Sequence, residues 1–232
     1  MPRLYLIPSP ISREGIDHIP PVAVNAIEKL AFFCCERART TRRYVKQLIP
    51  NFSFENKVFV ELDKHKENPV SEEVMKLFDG VSDVGLLSES GMPCIADPGE
   101  LVVDFARNHG YTIVPLSGPS SILLALTASG LNSEQFVFHG YLPLKTEGLQ
   151  SKLVLLSKEV NRTSYTHIFI ETPYRNQKLL ESIRQKVSGT IRLCVAQNLT
   201  GDTEKVTTAT IADWNKKTVQ LEKAPTIFLL GK

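Results

Sequence analysis

Short β-branched or aromatic runs alternate with stretches of helical period along the whole chain, a rhythm that argues for α/β layering. Strands are predicted at 3–7, 31–35, 57–61, 84–88 and 111–116, with helices at 20–30, 37–48, 70–79 and 98–109 between them. Pro20-Pro21 suits a first helical turn. Asp97-Pro98-Gly99-Glu100 combines an N-cap, a proline at the first position and an acid at the third. The second half opens with a helix at 119–129, closed by Gly130. Strands at 135–141, 166–171 and 191–197 follow, with helices near 147–158 and 174–187. Residues 204–210 and 226–230 read as two late strands with no long helix between them, which predicts antiparallel pairing in the second sheet. The expected architecture is two α/β domains sharing a cleft: 1–117 with a mostly parallel sheet, and 118–232 with a mixed one.

Two loops rich in glycine and proline leave the ends of apolar strands. One is Ser88-Glu89-Ser90-Gly91-Met92-Pro93-Cys94-Ile95-Ala96-Asp97-Pro98-Gly99, after Val84–Leu87; the other is Ser117-Gly118-Pro119-Ser120-Ser121, after Ile113–Leu116. The first strand also ends in a proline-bracketed turn, Pro8-Ser9-Pro10. Open α/β sheets bind ligands outside the carboxyl ends of their strands, so three such loops at one edge predict a ligand site. Neither G-x-x-x-x-G-K-[ST] nor G-x-G-x-x-G follows a strand, which disfavours nucleoside triphosphates and the usual dinucleotide mode. Glu89, Ser88, Ser90 and backbone groups suit a small, polar, zwitterionic or cationic ligand better than a polyanion.

Composition adds mainly exclusions. A net charge of only +2 removes global electrostatics as a binding argument. No apolar run is long enough to span a bilayer, and the N-terminus lacks a signal-peptide layout, so a cytoplasmic protein away from membranes is expected. The four cysteines, Cys34, Cys35, Cys94 and Cys194, show no zinc spacing; Cys34 and Cys35 read as small buried apolar residues on opposite faces of a strand. His18, His65, His109, His139 and His167 form no ligand spacing, and no metal site is expected. No Ser/His/Asp order or paired carboxylate arrangement is legible, so a reaction needing little side-chain chemistry fits better than hydrolysis. Residues 36–46 form one dense basic segment. On a helix, Arg39, Arg42, Arg43 and Lys46 share a side, either as a solvated face or as a grip on nucleic-acid phosphates with Tyr44 available for stacking.

Taken together, these segments resemble the tetrapyrrole methylase superfamily. Residues 86–99 are similar to its "SDAGTPxISDPG" segment, most closely in the branch of ribosomal small-subunit methyltransferase I type, which methylates a 2′-hydroxyl of 16S rRNA. Leu4–Ile11 resembles that branch's opening strand and "PTPIG" turn; Glu36, Arg39, Thr41, Arg42 and Arg43 match "EDTRxTRR"; Val114–Ser121 is similar to "VPLPGPSA". Phe138–Pro143 resembles "FxGFLP", Ile170–Arg175 resembles "YESPHR", and Cys194–Thr200 resembles "VARELT". "EDTR" reads Glu36-Arg37-Ala38-Arg39 here, and "RELT" reads Gln197-Asn198-Leu199-Thr200.

The resemblance implies an S-adenosylmethionine-dependent methyltransferase with the cofactor in the cleft between two α/β domains, acting as a homodimer on RNA (16S rRNA or the small ribosomal subunit). It assigns cofactor contacts to Pro8, then to Ser88, Ser90, Gly91, Met92 and Ile95, then to Ser120, Ser121 and Ile122. In the second domain it assigns them to Leu142, Glu171, Ala196 and Pro225. Arg39, Arg42 and Arg43 are the expected RNA contacts, and Glu36 or Glu89 the candidate base for a hydroxyl acceptor. Methylation of a small tetrapyrrole, or cofactor binding without transfer in a regulatory protein, stand as the alternatives.

Overall fold

The computed structural model describes residues 1–62, 70–97 and 99–232. His65 and Pro98, the proline expected to open a helix, lie outside them. Contacts divide the chain into two units, Met1–Ser120 and Ser121–Lys232.

The first unit holds five strands, β1 (Arg3–Ile7), β2 (Phe32–Cys35), β3 (Val58–Glu61), β4 (Val84–Leu87) and β5 (Thr112–Pro115), in the order β3-β2-β4-β1-β5. Every pairing is parallel, with Leu4 opposite Val84 and Ile113. Helices α1 (Pro21–Lys29), α2 (Ala38–Leu48), α3 (Glu72–Met75) and α4 (Glu100–Asn108) connect them. The sheet is apolar on both faces, as helix-covered parallel sheets must be. Ile7, Phe33, Cys35 and Leu87 pack with Ile27 of α1 and Val45 of α2. Leu4, Cys34 and Leu86 pack with Val74, Val102 and Ala106 of α3 and α4 on the other face. The adjacent cysteines are therefore split between the two cores, as the alternation predicts.

Two helices of the first unit differ from expectation. The 70–79 helix is confined to Glu72–Met75: Ser71 caps it by accepting from the Val74 amide at 3.3 Å, and Leu77 and Phe78 then turn back by i→i−3 bonds to Val74 and Met75. At α4 the N-cap position belongs to Gly99 rather than Asp97, with no side-chain cap.

The second unit holds helix α5 (Ser121–Ser129), strand β6 (Phe136–Tyr141), helix α6 (Thr146–Thr163), strand β7 (Thr166–Glu171), helix α7 (Asn176–Lys186), strands β8 (Arg192–Gln197) and β9 (Lys205–Thr210), helix α8 (Ile211–Asn215) and strand β10 (Thr226–Gly231). Their order is β6-β7-β10-β8-β9. β6 and β7 are parallel, while β10 runs antiparallel to both β7 and β8, and β8 to β9. The late strands are thus antiparallel, as their missing crossover helices require. Helix α6 extends to Thr163 because the apolar spacing Leu149, Leu153, Leu156, Val160 continues past residue 158; Ser164, at φ 63°, ends it. Helix α8 was not anticipated, although Thr210-x-x-Asp213 is a capping pattern: the Thr210 hydroxyl accepts from the Asp213 amide at 3.1 Å.

His139 of β6 and His167 of β7 share a hydrogen bond (Nε2 to Nδ1, 2.9 Å), with Glu159 Oε2 3.9 Å from His167 Nδ1 and Lys152 also on α6. Burial, then Lys152 and His167, push the His139 pKa down to about 4 against the opposing pull of Glu159; burial also lowers His167. A histidine with a depressed folded-state pKa binds its proton more readily unfolded, so stability is full above about pH 6.5 and falls as the pH drops toward 4. Thermal melts from pH 7.5 to 4.5 are expected to show a falling midpoint in the wild type, with a shallower fall in the double variant His139→Gln/His167→Gln. Parallel slopes would exclude the pair as its cause.

Candidate functional site

Strands β4, β1 and β5 are neighbours and point the same way, so the 88–99 loop, the 8–10 turn and the 117–120 loop leave one edge of the first sheet side by side. With β4 and β5 on opposite sides of β1, this is the position where open α/β sheets hold ligands. The turn and the long loop are tied together directly. The Ser9 amide donates to the Gly91 carbonyl (2.9 Å) and the Gly91 amide to the Ser9 carbonyl (3.0 Å). The Ser9 hydroxyl donates to the Ser88 carbonyl at 2.8 Å, and the Ser88 hydroxyl to the carbonyls of Gly91 (3.1 Å) and Ser90 (3.3 Å). Ser88 is therefore spent on shaping its own loop. Gly91 has φ +73°, where a side chain would be strained, and it abuts the Pro119 carbonyl. Gly118 is in closer contact still: a Cβ there would overlap the Pro8 ring and sit 3.5 Å from Met92 Sδ.

Pro8, Gly91 and Ser120 are buried, Met92 is half-buried, and Ser90 and Ile95 are exposed. Cys94 and Ala96 on either side of Ile95 adopt φ +69° and +63°. Left-handed backbone at non-glycine residues is costly and gathers at functional sites. Burial pushes the Cys94 thiol up to about 11, so at neutral pH it is a packed thiol and no nucleophile. Ser121 and Ile122, half-buried, begin α5 in the second unit.

Glu36, at the carboxyl end of β2, is 4% exposed; its Oε1 accepts the Glu89 amide at 3.0 Å and so holds the start of the 88–99 loop. Glu89 is half-buried and lies 3.6 Å from Arg37 Nε. The two candidate bases are thus adjacent, one fixing the backbone of the other.

The basic side of α2 is exposed at Arg39, Arg42, Arg43 and Lys46. Two of its members also have structural duties. The Arg42 guanidinium lies 5.2 Å from the Phe59 ring centre and 5.9 Å from that of Phe54, and Lys46 Nζ donates to the Phe52 carbonyl at 3.2 Å. Tyr44 corrects the expectation of a stacking residue. It is buried, on the opposite side of α2, and its hydroxyl donates to the Pro8 carbonyl at 3.1 Å. Helical periodicity, which places 41, 44, 45 and 48 together, carried that signal.

In the second unit, β6, β7 and β8 end at the edge where β10 begins: Thr226 is opposite both Glu171 and Gln197, and Ile227 opposite Ala196. Leu142, Glu171, Ala196 and Pro225 therefore gather at one sheet edge. Leu142 and Ala196 are buried and Pro225 is exposed. The Glu171 carboxylate is already committed, accepting from the Thr172 amide (2.7 Å) and paired with Arg175 (3.1 Å). Sequence reasoning missed Asn176, whose Nδ2 donates to the Ala224 carbonyl and to Thr226 Oγ1, both at 2.8 Å. Among the described residues no cluster of His, Cys, Asp or Glu could hold a metal ion, and no helix is long and apolar enough to cross a membrane.

Comparison with known proteins agrees with this layout. The model of the Tetrapyrrole (Corrin/Porphyrin) Methylases matches residues 3–215. A "Ribosomal RNA small subunit methyltransferase I" from Vibrio cholerae serotype O1 is 33% identical over 205 residues, 88% of this chain and 67% of that one. Its namesake from Escherichia coli O157:H7 is 28% identical over 98% of this chain and 77% of its own length. Among solved structures, the methyltransferase CobJ superposes with a TM-score of 0.66 at 18% identity, covering 100% of this chain and 95% of that one, which speaks for the fold. Sheet order, edge loops and sequence relatives converge, and the chain belongs to the tetrapyrrole methylase family of methyltransferases.

Proposed function

We propose that the chain transfers the methyl group of S-adenosylmethionine to a ribose 2′-hydroxyl of small-subunit ribosomal RNA. The observation that carries this reading is the Ser9–Gly91 bridge with Gly118 packed on Pro8, which fixes three loops at the carboxyl edge of β4, β1 and β5. The relatives named as ribosomal RNA small subunit methyltransferase I support the RNA acceptor. The donor set fits the cofactor: backbone groups beside small side chains, with the Glu89 carboxylate near, suit a compact zwitterion carrying a sulfonium.

S-adenosylmethionine supplies an already activated methyl group, so the protein's task is to align acceptor and donor and to exclude competing water. On this reading Pro8, Gly91, Met92 and Ile95 hold the donor in the first unit with Ser88 and Ser90. Ser120, Ser121 and Ile122 are further proposed contacts, as are Leu142, Glu171, Ala196 and Pro225 at the edge of the second sheet. Ser88 and Gly91 act by setting the path of the loop, since their own polar groups are engaged within it. Glu89 receives the hydroxyl proton as candidate base. Glu36 is the other candidate, and its bond to the Glu89 amide gives it a positioning role as well. Arg39, Arg42 and Arg43 bind RNA phosphates. The reading includes a cytoplasmic homodimer, as the family resemblance implies.

Purified protein incubated with methyl-tritiated S-adenosylmethionine and undermodified small ribosomal subunits is expected to label one ribose of 16S rRNA, with Glu89→Gln slowing turnover at least tenfold. Donor binding without label in RNA would overturn the acceptor assignment.

A further inference from the structure

We propose that Asn176 is a positioning residue for the methyl donor, acting through the 224–226 segment; this rests on the reading of the second sheet's edge as a donor contact. Asn176 is the first residue of α7 and is 1% exposed. Its Nδ2 spans Ala224 and Thr226, while the Thr226 hydroxyl donates to the Ala224 carbonyl at 2.9 Å. Three groups thus form a closed ring of hydrogen bonds around Pro225. The amide orientation is set by the Ala224 carbonyl, which can only accept.

Pro225 has no N–H of its own, and its carbonyl accepts from the Asn198 amide at 2.9 Å. Gln197 Nε2 adds a bond to the Glu222 carbonyl at 3.3 Å. Gln197 Nε2 also reaches Thr226 Oγ1 at 3.5 Å, and the two shorter Nδ2 bonds come from Asn176, some fifty positions away on a different element.

Asn176 Oδ1 gives the argument its direction. It is buried and has no hydrogen-bond partner among the described residues. A buried acceptor without a partner costs stability, and an apolar side chain of the same shape avoids that cost. That cost offsets part of what the two Nδ2 bonds contribute, so stability alone does not single out asparagine at this position. What asparagine offers and leucine does not is the pair of Nδ2 bonds that fix where Pro225 lies, and a donor contact misplaced by a fraction of an ångström loses affinity.

Calorimetric titration of the full-length protein with S-adenosylmethionine and with S-adenosylhomocysteine tests this without catalysis, alongside thermal melts. Asn176→Leu is expected to bind both about tenfold more weakly than wild type, with a nearly unchanged melting midpoint and a raised KM for the donor at a nearly constant kcat. Thr226→Val, which removes the second member of the ring, is expected to shift affinity in the same direction by about threefold, and carries the test if Asn176→Leu fails to fold. Wild-type affinity in Asn176→Leu, or in Thr226→Val where the first variant does not fold, overturns the positioning role. A wild type that binds neither ligand overturns the donor reading, and this proposal with it.

Discussion

Gly118→Ala is expected to weaken S-adenosylmethionine binding at least about 100-fold and to destabilise the first unit by about 2 kcal/mol. The added methyl would occupy the space of the Pro8 ring. Relief by side-chain movement is closed off, because the Pro8 carbonyl receives the Tyr44 hydroxyl and the next residue, Ser9, is bridged to Gly91. The 117–119 loop must therefore lift away from the 8–10 turn, separating two of the three loops proposed to hold the donor. Titration calorimetry and urea unfolding measure the two effects. A variant that unfolds earlier but binds normally would show that these loops are packing alone.

Arg39→Ala/Arg43→Ala is expected to cut RNA affinity more than tenfold at about 100 mM salt and to lower the salt slope of log K by about 1.4, the value for two phosphate contacts on single-stranded RNA. Arg42→Ala is expected to act differently. Its guanidinium rests on Phe54 and Phe59, so its loss exposes aromatic surface and lowers stability as well as affinity. Filter binding across a salt series, with thermal melts for each variant, separates the two behaviours. An unchanged slope in the double variant would remove α2 from the RNA interface.

Local pattern made most of the fold legible. Period-two and period-3.6 runs located the strands and the longer helices, and proline-glycine punctuation located the loops. Some failures were local: the helical period that buries Tyr44 with Thr41 and Val45, and the Thr210-x-x-Asp213 cap of α8, were both present along the sequence. Others lie in long-range contacts, beginning with the bond from the Tyr44 hydroxyl to the Pro8 carbonyl. The links from Glu36 to the Glu89 amide and from Asn176 to Thr226 join segments about fifty residues apart, which no window along the sequence contains. For the candidate site, the loops and their common edge followed from strand polarity alone. The contacts named within each loop came from family resemblance.

The strand order of the second unit bears on how it assembles. β10, the last strand along the sequence, lies in the middle of its sheet, with β7 on one side and β8 on the other. During synthesis the earlier strands emerge without the partner that joins them, so β6–β7 and β8–β9 can form only as two separate ribbons with bare inner edges. Removing Thr226–Gly231 would accordingly split the sheet down its centre rather than trim its rim, and the ribosome-bound chain is open to aggregation or chaperone capture until those residues clear the exit tunnel.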